Sequence, residues 1–429
     1  MAEFIVTGAT TRTNEEVDIE IRDGTIDQIV PAGKGDPSAF DSDQHYDAAG
    51  KFVTPPLIEP HIHLDAALTA GEPCWNDVGT LAAGIELWGE RKQELTTAGV
   101  KERAEQVIEW LAANGVTRVR THADVTEHTL TGFEALLELR EEVSDIVDLQ
   151  VVAFPQEGVF TEEENEDLLR EAASMGPDLV GGIPHNEHTR EEGVTEVETV
   201  VEIARDHDLQ LDLHIDETDD PTSRMTEVLA SEAHRHDIGQ RTTASHTTAM
   251  HSYPDAYADK VVSLLAKSDV SVVTNPPDNS VLQGRYDDYP RRRGHTRIDE
   301  LHESGVTVGI GHDSVMDPWY HYGTADPLDS AHLLVHYAHM NGREDVQTIW
   351  EMLTDANATV FGAERYGLEE GNRGSLVLYH SPDAFNTLRT RAPRALVLRD
   401  GRPIARTEPR ETVVERRSGS RSVDFHRND

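Results

Sequence analysis

Eight short apolar runs, spread through the middle of the chain and separated by amphipathic stretches, set the strongest limit on what this sequence can fold into. They are Phe52–Ile62, Arg118–Ala123, Leu149–Phe154, Leu179–Ile183, Leu211–Ile215, Thr242–Ser245, Val270–Thr274 and Val306–Ile310. Between them, Thr80–Leu95, Lys101–Asn114, Glu162–Ser174, Val194–Asp206 and Arg224–His236 carry the apolar spacing of helices packed on one face. Buried strands alternating with helices in this way predict an α/β fold, a (β/α)8 TIM barrel. An open doubly wound sheet is the competing architecture, but no glycine-rich phosphate loop follows any early strand.

The two chain ends read differently. Val17–Arg22 and Thr25–Val30 alternate apolar and polar residues around Asp23-Gly24, a hairpin signal. Ser375–Tyr379 and Ala395–Arg399 are short strands, the second running into another such turn at Asp400-Gly401. A small β-sandwich domain built from residues 1–54 plus 372–429 is therefore expected, beside a barrel of residues 55–371 that holds the active site. Ser418–Asp429 is expected to fray.

In such barrels chemistry sits at the C-terminal ends of the strands. The first strand ends in Glu59-Pro-His61-Ile-His63, and side chains two apart on a strand share a face. The fifth ends in His214-Ile-Asp-Glu217, the sixth in His246 and the eighth in His312-Asp313. An H-x-H pair alone is weak among 22 histidines, but four histidines and an aspartate at four strand ends would face one axial pocket. Imidazoles plus a carboxylate suit a borderline divalent ion, Zn²⁺ or Fe²⁺. The segment Asp178–Pro184 at the fourth strand has no lysine that could bridge two ions, so one divalent metal per chain is expected. The cluster His185-Asn-Glu187-His188 and the lone His122 read as structural or supporting groups.

At this point the segments Pro55–Asp65, Val119–His122, Val151–Gly158, Thr243–Tyr253 and Asp317–Tyr320 resemble the bacterial type of cytosine deaminase within the metal-dependent amidohydrolase superfamily. The resemblance covers nearly the whole chain and implies hydrolytic deamination of cytosine to uracil and ammonia by a metal-activated water, in pyrimidine salvage. It implies that His61, His63, His214 and Asp313 hold the metal, that Glu217 shuttles protons, and that His246 orients or deprotonates the water. Gln156 would read the amide-like edge of the base, with Leu81, Phe154 and Trp319 as walls. A homo-oligomer is implied as well. One position departs: where the family's cytosine deaminases carry a second aspartate, this chain has Ser314. Isoguanine, a C5-substituted cytosine or an N-substituted triazine are therefore alternative substrates. A non-catalytic barrel is a further alternative, disfavoured because the whole residue set is retained.

Composition narrows the partners. No 18-residue apolar run is present, so no membrane helix is expected, and the N-terminus lacks a basic segment followed by an apolar core. The lone Cys74 fits a reducing cytoplasm. Eighty acidic residues against 38 basic ones, only six of them lysine, give a formal charge of −42, which repels nucleic acid polymers and leaves a small-molecule nucleobase as the expected partner. Such an acidic surface suits a halophilic cytoplasm, where salt screens the self-repulsion. Thermal melting from low to molar salt tests this: the melting temperature should rise with ionic strength, and a flat profile would count against it.

Overall fold

The computed structural model describes residues 3–426. Its centre is an eight-stranded parallel sheet whose strands follow one another in chain order. They are β1 (Leu57–Ile62), β2 (Val116–Asp124), β3 (Asp148–Phe154), β4 (Leu179–Val180), β5 (Gln210–Ile215), β6 (Thr242–His246), β7 (Ser271–Thr274) and β8 (Val308–Ile310). A bridge between Ile62 and Asp313 joins the first strand to the last, closing the (β/α)8 barrel. Helices over Thr97–Ala113, Thr131–Glu142, Asn165–Ser174, Arg190–His207, Met225–His236 and Asp255–Lys267 cover its outside. Their buried faces join one large apolar cluster with the outer faces of the strands.

Two four-stranded sheets lie outside the barrel. One pairs Thr25–Pro31, Glu16–Arg22, Phe4–Thr10 and His45–Asp47, and the other pairs Arg402–Arg406, Arg394–Arg399, Leu376–Tyr379 and Val53–Thr54. Their inner faces meet in a single core that includes Phe4, Ile19, Ile21, Leu376 and Leu396. Asp23 and Gly24 both have positive φ, as the expected tight hairpin requires.

Three sequence expectations need correction. The apolar run Phe52–Ile62 is not one strand: Val53–Thr54 pairs with Leu376–Tyr379 outside the barrel, and β1 begins only at Leu57. Pro55-Pro56 makes the break, since proline cannot donate to a sheet ladder. Glu16–Arg22 is buried on both faces, not one. Asp18 sits beneath a loop and accepts hydrogen bonds from the backbone N–H groups of Gly8, Gly33, Lys34 and Gly35, which satisfies the buried carboxylate. The expected fraying from Ser418 gives way to an exposed hairpin of Val413–Arg416 with Gly419–Ser422, and residues 427–429 lie outside the described ones. No helix among the described residues is long and apolar enough to cross a membrane.

One buried carboxyl pair gives the fold a pH dependence. Glu196 is fully buried, its Oε1 accepts from the Ile183 N–H at 2.5 Å, and the Glu187 carboxyl lies near it. Glu187 in turn accepts from the Val159 and Phe160 N–H groups, which identifies this cluster as a brace between loops. Burial, and then the Glu187 carboxyl, push the Glu196 pKa well above the ordinary range. The native state therefore holds a proton that the unfolded chain releases near pH 4.3, so stability falls as pH rises from there by about 1.4 kcal/mol per unit until the folded pKa is reached. Glu196→Gln keeps an acceptor for Ile183 and a donor for Glu187. Its melting temperature should pull above that of the native chain as pH goes from 5 to 8, whereas a constant difference would contradict the proton held at Glu196.

Candidate active site

The strand ends place the histidines as their spacing predicts. His61 and His63 close β1 and the segment after it, and their Nε2 atoms lie 3.2 and 3.1 Å from Nε2 of His214 on β5. Asp313, three residues past β8, brings Oδ1 within 3.6 Å of His61 and 3.4 Å of His63. Its φ of 72° and the 71° of His246 are left-handed conformations that cost a non-glycine residue about 1–3 kcal/mol each. That strain turns both side chains towards the axis.

Hydrogen-bond logic then fixes ring protons. The Ser245 hydroxyl donates to Asp212 Oδ1 at 2.6 Å, since a carboxylate only accepts. Its oxygen therefore accepts from His61 Nδ1–H at 2.9 Å, which leaves a lone pair on His61 Nε2. Asp212 is itself held by Arg120, 2.9 Å away and fully buried on the barrel axis. Burial and the neighbouring imidazoles keep His61, His63 and His214 well below the usual histidine pKa, hence neutral. Burial, then Asp278 and Glu217, push Asp313 well above its usual value. Three neutral imidazoles with their Nε2 atoms converging, the His61 one offering a lone pair, beside a carboxyl starved of positive charge, fit a divalent cation. The His61, His214, His246 and Asp313 donor atoms also lie within 4.8 Å of one another, so a set with His246 competes with the set containing His63. His246 differs in that its Nδ1, 3.7 Å from Asp313 Oδ2, already accepts from the Asn279 amide at 3.0 Å, so that lone pair is engaged.

Above the histidines lies a tight pocket of about 10 Å³, the space of roughly one water, so a ring enters only as its lining side chains move apart. Of the residues expected here, Leu81, Gln156, Glu217, Ser314 and Trp319 line it together with His63, His214 and Asp313. Phe154 does not: it is buried beneath, stacked on the His214 ring with centroids 4.1 Å apart, because strand alternation turns it under the ligand. His122 lies 4.0 Å from His61, centroid to centroid, and 3.7 Å from Asp212, and with His61 and His63 it forms a further set of donor atoms within 4.8 Å of one another. Two lining residues escaped the sequence reading, Asp278 and Leu282, both on the short helix α2 (Pro276–Leu282) that follows β7. Asn279, on the same turn, donates to Glu217 Oε1 at 3.0 Å.

The roof is the helix α1 (Leu81–Arg91), capped by Thr80. Gly84 lets the Trp319 indole lie against this helix, since a Cβ there would sit 2.3 Å from the ring. Buried Lys92 ties the end of α1 to Asp124 at 3.1 Å and to Glu157, the neighbour of Gln156, at 2.6 Å. The roof and the Gln156 loop are thus one rigid unit.

Metal content by chelator competition tests this geometry. The protein should bind one Fe²⁺ or Zn²⁺ tightly, His214→Ala should lose it, and Ser245→Ala should weaken it by about 10–100-fold through the freed His61 ring. Glu217→Gln should retain one ion per chain; loss of the ion there would make Glu217 a ligand.

Comparison with known proteins agrees with this architecture. A profile of the amidohydrolase family matches residues 44–414. The structure of the 5-methylcytosine deaminase of Klebsiella pneumoniae, solved with 5-fluorocytosine, is 39% identical, covers 95% of this chain and 98% of its own, and superposes with a TM-score of 0.92. The N-isopropylammelide isopropyl amidohydrolase of Pseudomonas sp. (strain ADP) is 29% identical over 84% of this chain and 88% of its own. The pterin deaminase of Rhizobium rhizogenes is 27% identical over 94% of this chain and 91% of its own. With most of its length matched and its histidines gathered at the barrel mouth, the chain belongs to the amidohydrolase family, hydrolases of carbon–nitrogen bonds in cyclic substrates.

Proposed function

We propose that this enzyme deaminates cytosine at C4 and accepts cytosines substituted at C5, with His61, His63, His214 and Asp313 holding one Fe²⁺ or Zn²⁺. The observation that carries the reading is Glu217: a buried carboxyl beside Asp313 and His246, facing a cavity whose far wall is the Gln156 amide. A divalent ion held by such ligands supplies hydroxide at neutral pH by lowering the pKa of a water to around 7. Everything else falls to side chains of this chain.

Gln156 makes no side-chain hydrogen bond among the described residues, so its amide is free to pair with the N1–H and C2 carbonyl edge of the ring. Trp319 and Leu81 cover the ring faces. Burial, then Asp278, raise the Glu217 pKa well above normal, which favours the protonated carboxyl that a proton donor needs. It can donate to ring N3 as C4 becomes tetrahedral. Asn279 anchors Oε1 and leaves the other oxygen for this transfer. His246, 3.4 Å from Glu217 and 3.7 Å from Asp313, accepts and returns protons along this edge. A second proton delivered through Glu217 lets the exocyclic nitrogen leave as ammonia, so one water is consumed and one ammonia released.

The C5 tolerance rests on Ser314. It lines the cavity next to Asp313 and is smaller than the aspartate of the cytosine-specific pattern, leaving room beside the ring. That the Klebsiella pneumoniae relative is a 5-methylcytosine deaminase whose structure holds 5-fluorocytosine supports this choice over the triazine amine and pterin relatives, which share less identity.

Ammonia release should be measured across cytosine, 5-methylcytosine, 5-fluorocytosine, isoguanine, N-isopropylammelide and a pterin. The cytosines should be turned over with the highest kcat/KM, and Ser314→Asp should depress 5-methylcytosine relative to cytosine by about tenfold or more, the scale of one misfit group in a pocket. Preferred turnover of a triazine or a pterin would overturn the reading.

A further inference from the structure

Asp278 is the one acid at the cavity that the reaction above leaves without work. It is 2% exposed, lines the cavity from α2, and its Oδ1 has no hydrogen-bond partner among the described residues. One of its carboxylate oxygens lies within 4.8 Å of those of Glu217 and Asp313. The Ser314 hydroxyl lies near both Asp278 and Asp317. An unpaired acceptor buried this deeply is costly unless something that enters the cavity pairs with it.

Its place around the barrel says which part of the ring would do so. Gln156 follows the third strand and Asp278 the seventh, four strands apart in a closed ring of eight, so they stand on opposite sides of the mouth. In a pyrimidine, C2 lies across the ring from C5 and N1 across from C4. A ring whose N1/C2 edge meets Gln156 and whose N3 meets Glu217 therefore turns C5 towards Asp278 and Ser314. Ser314 provides the space there, and Asp278 provides an acceptor at the end of it.

We infer that Asp278 is a specificity-determining residue that selects cytosines bearing a hydrogen-bond donor on the C5 substituent, such as a hydroxymethyl group, over those bearing a methyl. This rests on the deamination reading for the orientation of the ring. A carboxyl oxygen accepts a hydrogen bond whether or not the group is protonated, so the selection does not depend on its charge.

The test compares kcat/KM for 5-hydroxymethylcytosine and 5-methylcytosine in the native enzyme, Asp278→Val and Asp278→Asn. The native enzyme should favour hydroxymethyl by about tenfold or more, the size of one hydrogen bond to a buried acceptor. Asp278→Val should reverse the order, and Asp278→Asn, which keeps an acceptor oxygen, should restore part of it. Calorimetric binding of 5-hydroxymethyluracil and 5-methyluracil reads the same preference without turnover. A binding preference with no ammonia released from any cytosine would uphold Asp278 and remove the deamination reading. Equal treatment of the two substituents by the native enzyme overturns the inference, as does an equal loss on both in Asp278→Val. Two metal ions per native chain falling to one in Asp278→Val would also overturn it, assigning the acid to a second cation.

Discussion

The structure depends on the closure of the barrel between its first and last strands. That closure is made by the backbone of the residues whose side chains form the site. The Asp313 N–H donates to the His61 carbonyl at 2.8 Å, and the His63 N–H donates to the Asp313 carbonyl at 3.2 Å. Glu59 adds a strap, its Oε1 accepting from the N–H groups of both His61 and His312. A parallel sheet can curl shut only if its edge strands meet in register. Here the same register that satisfies the ladder brings the side chains of His61, His63 and Asp313 together. Folding and site assembly are one event at this seam.

Beneath the seam runs a column of buried polar groups. Arg120, sealed on the barrel axis, donates to Asp212, the Gln150 amide oxygen and the Val360 carbonyl, so its charge is paired and its fork largely satisfied. Asp212 passes that order upward through Ser245 to the His61 ring. Burying an ion pair is expensive unless every partner is in place. The return is a histidine with one defined tautomer, where a looser core would leave the ring free to rotate or to protonate. Around this column burial keeps the imidazoles neutral and pushes the Glu217 and Asp313 carboxyls above their usual range, a cost that a bound cation would relieve.

Much of this was legible in the sequence because the signals were periodic. The two-residue repeat put His61 and His63 on one face, and strand ends at His214, His246 and Asp313 pointed at the same axis. What escaped had no such signal. Asp278 and Asn279 lie beyond β7 on a short helical turn, and the search for histidines at strand ends passes over a strand that ends in Thr274-Asn275. Only the fold shows that this turn leans over Glu217. Phe154 was expected in the wall on the family resemblance alone, but the last strand residue turns inward under His214. The apolar run at Phe52 looked continuous because hydrophobicity carried across Pro55-Pro56, while the ladder could not.

The central claim is that His61, His63 and Asp313 at this seam, together with His214 from β5, create one cation site in a barrel that lacks a bridging lysine on its fourth strand. X-ray absorption at the metal edge of the loaded protein addresses it directly. The account predicts a light-atom shell dominated by imidazole scattering and no metal–metal vector. A metal–metal vector, or a shell of oxygen ligands without imidazole, would contradict it.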